Sequence, residues 1–242
     1  MWTAAFWGAV SGSAVFIGAV IALLIKIPKK IIGFIMAFGT GVLIGAAAYE
    51  LLAESVADGG MLATAVGFIA GAGIFTLLDT WISKKGAADR KRSGDQGAPK
   101  GMAIFIGTVM DAIPESIMIG ASLLTGQSVS WLLVAAIFIS NIPEGLSSTS
   151  GLKKSGYTAS RICLLWAAVI VISSLSSWGG YFFLAEAPDS ILAGIAAFAG
   201  GGIIAMISST MMPEAYEDSG PATGFIASLG LLVSLILNQF SS

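Results

Sequence analysis

The 242-residue chain is 56% apolar and 11% charged, with a formal net charge of −2 and no histidine. Soluble domains carry about 25% charged residues, so this composition cannot cover a water-soluble globule, and the mean hydropathy of +0.89 points to a polytopic membrane protein. One cysteine, Cys163, excludes a disulfide framework within the chain; its helical apolar surroundings read as a small buried hydrophobe.

A spanning helix needs about 20 mostly apolar residues. Eight segments qualify, at roughly 2–25, 31–55, 61–82, 101–124, 130–151, 159–184, 190–212 and 221–240. The first has no basic start region, so it reads as a span rather than a cleaved signal. The one long connection, 83–100, is SKKGAADRKRSGDQGAPK, with Asp89 and Asp95 as its acids. It reads as a solvated tether. The 31 glycines suit close approach of helices.

The basic residues fix an orientation. Lys26, Lys29 and Lys30 follow span 1, and Lys84, Lys85, Arg90, Lys91, Arg92 and Lys100 lie between spans 3 and 4. Lys153, Lys154 and Arg161 lie between spans 5 and 6. All twelve Lys and Arg residues then fall on one side, which the positive-inside rule makes cytoplasmic. Both termini are expected outside the cytoplasm, and no basic residue tests spans 7 and 8.

A repeat is visible between FGTGVLIGAAAYELLAESVADGG (38–60) and FAGGGIIAMISSTMMPEAYEDSG (198–220). At a constant offset of 160, Phe38 pairs with Phe198, Gly41 with Gly201, Glu54 with Glu214, Asp58 with Asp218 and Gly60 with Gly220. Spans 2 and 7 run in opposite directions, so the repeat is inverted, a feature of secondary transporters. The expected fold is all-α: eight transmembrane helices, with an inverted repeat of spans 1–3 and 6–8 around spans 4 and 5.

Those two central spans carry the chemistry. Asp111 and Glu115 share one face of span 4, one turn apart near its middle. In span 5, Ser140 and Glu144 have the same spacing, and Asn141 lies three residues from Glu144. A carboxylate at a helix centre costs roughly 2.5–3.5 kcal/mol on insertion scales. With no basic residue at that depth, protonation or a bound cation must offset the cost. Pro114 and Pro143 each remove a helical donor, from the carbonyls of Met110 and Ile139. Freed carbonyls at membrane depth can coordinate cations.

With DAIPES and SNIPEG the chain resembles the ZIP (Zrt/Irt-like) family of divalent metal transporters, bacterial members above all. The resemblance covers nearly the whole chain, including the end of span 7, MMPEAYEDSG. It implies a metal site of Asp111, Glu115, Ser140, Asn141 and Glu144. Asp111 and Ser140 stand where histidine is usual, and Ala112 stands where a ligating Asn or Asp is usual. The resemblance also implies pathway acids at Glu50, Glu54, Glu214, Glu217 and Asp218. Without histidine the site is all oxygen, which suits Mn(II) and still admits Zn(II), Fe(II) or Cd(II).

The expected function is therefore a divalent-metal permease working by alternating access. It is multi-pass in the cell (inner or plasma) membrane, with metal ion and lipid bilayer as partners. No prosthetic group, nucleic acid or enzymatic activity is expected, and a homodimer is left open. Metal would displace protons from Glu115 and Glu144, so uptake would slow at acidic pH. Two alternatives stay open: a proton- or solute-coupled carrier of another class, and a non-transporting metal-binding membrane protein.

Overall fold

The computed structural model describes residues 1–82, 101–125 and 129–241. The tether expected at 83–100 lies outside them. Every regular element among the described residues is helical. The elements are α1 (Trp2–Leu24), α2 (Lys29–Ala46), α3 (Glu54–Ile82), α4 (Gly101–Thr125) and α5 (Trp131–Lys154). They continue with α6 (Ala159–Leu184), α7 (Asp189–Met206), α8 (Met212–Ser219) and α9 (Ala222–Ser241). Two π-helical stretches, Ala47–Ala53 and Ile207–Met211, join α2 to α3 and α7 to α8.

Seven of the resulting helices are long and apolar enough to cross a membrane. Their outward faces carry large apolar side chains, among them Phe6, Ile69, Leu77, Leu164, Phe183 and Phe225. That is the surface of a protein in contact with lipid.

The expected break between spans 2 and 3 is tighter than the sequence suggests. Helix runs from Lys29 to Ile82, 54 residues, and Gly60 (φ 77°, ψ 165°) interrupts it. Glycine alone reaches that backbone region without strain. A continuous helix of that length would measure about 80 Å, against a hydrocarbon core of about 30 Å. Helix also runs past the expected end of span 7 at residue 212, as far as Ser219. Pro213 stands in the first turn of α8, directly after the π-helical stretch. Gly220 (φ 68°) then turns the chain into α9.

Packing features recur at nearly the offset seen in the sequence, 160 residues between α2 and α7 and 159 between α3 and α9. The π stretches begin at Ala47 and Ile207, 160 residues apart, and so do the positive-φ glycines 60 and 220. A Cβ on Gly41 would sit 1.9 Å from the Ala227 carbonyl oxygen, and one on Gly201 2.1 Å from that of Phe68. Likewise Gly71 meets the Phe198 carbonyl and Gly230 the Phe38 carbonyl. Helix α3 therefore lies on α7 through the same small-residue contacts that seat α9 on α2.

The two ends of the bundle differ in charge. Lys26 and Lys153 line one cavity, and the Lys153 ammonium donates to the Ala22 carbonyl at 3.4 Å. Here α5 ends in a hydrogen-bonded cap: Tyr157 N–H donates to the Leu152 carbonyl and Gly156 N–H to that of Lys153. Helix α4 begins at this basic end too, since Gly101 packs against Tyr157 and Leu152. At the opposite end Trp7 of α1 meets Trp131 of α5 edge-on at 4.6 Å.

Candidate metal site

Helices α4 and α5 run antiparallel, and three contacts set their register to within about one turn. Gly101 faces Leu152, Gly151 faces Ile104, and Ser130 N–H donates to Ser122 Oγ at 3.3 Å. Read from the Gly151–Ile104 contact, Thr108 falls opposite Ser147 and Ser148, Asp111 opposite Glu144 and Glu115 opposite Ser140; read from the Ser122–Ser130 contact, each pairing shifts by about one turn and Asp111 falls opposite Asn141. Each of these five candidate ligands is buried, none more than 4% exposed. Pro114 and Pro143 sit inside their helices at the same levels.

Small residues press the other helices against α5 here. Gly145 lies on the Val15 carbonyl of α1, and Gly18 lies on the Ile142 carbonyl. Gly39 of α2 packs against the backbone of Ser140. The Ser140 hydroxyl donates to the Ile137 carbonyl at 3.0 Å, which leaves its oxygen able to accept or to ligate. Among the described residues, no three His, Cys, Asp or Glu side chains come together as a metal-holding group.

The remaining acids divide between the two ends. Glu50 and Glu54 line a cavity of about 460 Å³ at the end away from the lysines, together with Asp58 and Asp189. Its buried walls include the apolar Leu51, Met118 and Leu133 and the hydroxyl of Ser55. Met118 is one turn of α4 from Glu115. Ser130 caps α5 by accepting from Leu133 N–H and donates its own hydroxyl to Glu50 at 2.5 Å. Ser130→Ala removes both bonds, so it should lower the thermal midpoint by several degrees, corresponding to about 1–2 kcal/mol. A melting curve in detergent checks this.

Toward the basic end Glu214, in the first turn of α8, is buried and accepts a hydrogen bond from Ser147. Glu217 is exposed, and Asp218 packs against Gly33 of α2. Of the expected site residues, Glu50 and Glu54 share the vestibule, the five of α4 and α5 are buried along the middle of their two helices, and Glu214, Glu217 and Asp218 lie on α8. Asp189 in the vestibule and Ser147 beside Glu214 were not foreseen. Ser147 follows Glu144 by three residues, so extending the acidic face of α5 by one turn would have found it. Asp189 is distant in sequence from the other vestibule acids and carries no such signal.

No protein-family model matches the chain. Over 241 residues it is 24% identical to a protein of Arabidopsis thaliana whose name assigns it, provisionally, to the zinc transporters. The alignment takes in 96% of this chain but 39% of that protein's length. The similarity thus spans both α4 and α5 and the two repeated segments.

Proposed function

We propose that the chain is a permease for divalent metal cations of the ZIP type, carrying the ion between α4 and α5. The observation that carries the reading is the burial of Asp111, Glu115 and Glu144 on two adjacent antiparallel helices. Every described Lys and Arg lies at the basic end, away from this level. Carboxylates at such depth mark ion pathways by default. The distant likeness to a protein named for zinc transport favours a metal over an organic solute, and a transporter over an enzyme.

In this reading the chain makes eight spans, because Gly60 divides the helix Lys29–Ile82 into two. Spans 1–3 and 6–8 form an inverted repeat around α4 and α5. The support is the offset of 160 shared by the π stretches and the positive-φ glycines, together with the matching contacts of α3 with α7 and of α9 with α2, whose α3 and α9 members lie 159 apart. The basic end is cytoplasmic by the positive-inside rule, which puts the acidic vestibule and both termini outside.

The vestibule then gathers cations, and Leu51, Met118 and Leu133 are among its buried walls. Rocking of the repeats would open a way from it to the acids while closing the contacts around Glu214, which is alternating access. The π stretches flank the moving level; such stretches recur at functional sites. The all-oxygen donor set implies breadth, with Mn(II) accepted as readily as Zn(II).

Proteoliposomes loaded with a metal-sensing dye test this reading. Mn(II), Zn(II), Fe(II) and Cd(II) should each enter at rates within about tenfold of one another. Flux of none of these ions, or flux of Zn(II) alone, would contradict it.

A further inference from the structure

Two buried hydroxyls lie next to the acids and have no hydrogen-bond partner: Thr108 on α4 and Ser148 on α5, each 1% exposed. An unsatisfied buried hydroxyl costs about 1–3 kcal/mol, and native structures hold few of them. A helical Ser or Thr has an easy remedy, donation to the carbonyl four residues back. Thr40, Ser150, Ser155, Ser208 and Thr210 all take it. Thr108 and Ser148 do not, although each is in a helix interior with such a carbonyl available.

Their places in the fold explain the difference. The Ile104–Gly151 contact sets Thr108 and Ser148 level with each other, one turn from the level of Asp111 and Glu144 toward the basic end. Ser147, the neighbour at this level, is engaged with Glu214. The two hydroxyls therefore lie one turn from the carboxylates of the candidate site, at the level where Glu214 meets Ser147.

We propose that Thr108 and Ser148 are the next oxygen ligands on the route, a neutral relay for a partly hydrated divalent cation. The inference rests on the metal-permease reading and extends it by one coordination level. Hydroxyl oxygens suit hard divalent ions but hold them without the attraction of a carboxylate. An ion leaving two acids needs such a step, because conduction requires sites that bind and also let go.

Mn(II) uptake into proteoliposomes, with wild type, E115Q and the double variant T108V/S148A, tests the relay. The double variant keeps side-chain volume nearly constant and should lower the maximal rate roughly tenfold, leaving KM unchanged. Mn(II) binding to the detergent-solubilised protein, read by electron paramagnetic resonance, should stay as in the wild type. The hydroxyl-retaining variant T108S should keep most of the rate that T108V loses. A double variant with undiminished maximal rate overturns the relay, and so does one that loses Mn(II) binding in step with rate. Should T108V/S148A fail to elute as a folded species, S148A alone decides by the same readings. If wild type transports and E115Q does not, a fast T108V/S148A defeats the relay only; if wild type moves no metal, both readings fall.

Discussion

Replacing Glu115 and Glu144 together by glutamine should cut divalent-metal uptake by at least about 100-fold. Glutamine matches glutamate in volume and keeps one acceptor oxygen, so packing survives while the negative charge is lost. An interaction with a charged group contributes about 1.5–3 kcal/mol. Two such losses amount to about 3–6 kcal/mol, and every 1.36 kcal/mol is a factor of about ten in rate. Both residues are buried, so solvent does not screen the missing charge. Stability should move the other way. Removing a buried charge without leaving a hole is often neutral or stabilising, so the thermal midpoint of the double variant should equal or exceed that of wild type. Initial rates of Mn(II) uptake and a melting curve give both readings. Uptake at the wild-type rate would show that the ion does not pass these residues.

The second large effect concerns the frame. Gly71→Ala should destabilise the bundle severely, whereas Gly73→Ala, two residues along the same helix, should not. A Cβ at Gly71 would lie 1.8 Å from the Phe198 carbonyl oxygen, a backbone atom that no rotamer change can remove. A Cβ at Gly73 meets nothing within 4 Å. Forcing α3 away from α7 costs at least about 1–3 kcal/mol. At Gly73 the gain in helix propensity is worth up to about 1 kcal/mol. Gly230→Ala, against the Phe38 carbonyl at 2.1 Å, should behave as Gly71→Ala does. Thermal unfolding of the three variants in one detergent gives the comparison. Equal midpoints for Gly71→Ala and Gly73→Ala would contradict the packing described for α3 and α7.

Much of this architecture was legible because apolar length and the positions of charge are sequence properties. The pairing of residues 38–60 with 198–220 could be read from a handful of matched Gly, Glu and Asp positions. The π stretches within it could not, since residues 47–53 and 207–211 share no motif beyond their offset. Span 7 was bounded by apolar length, which does not show that the polar segment Met212–Ser219 continues as helix. Gly60 was read as a loop residue, yet one glycine suffices to redirect the chain.

The acids of the site were visible because charge in an apolar run is conspicuous. Thr108 and Ser148 were not, since a helical hydroxyl ordinarily bonds its own backbone and looks inert. Only the level set by Ile104 and Gly151, together with the missing bonds, singles them out. Asp189 reaches the vestibule through the packing of α7 against α3, which no local pattern reveals.

Anomalous scattering from crystals soaked in Mn(II) addresses the central claim most directly, because it locates the ion without reference to transport. The expected result is a peak between α4 and α5 within coordination distance of Glu115 or Glu144, lost in E115Q/E144Q. A peak confined to the vestibule of Glu50, Glu54, Asp58 and Asp189, with none between the two helices, would contradict it.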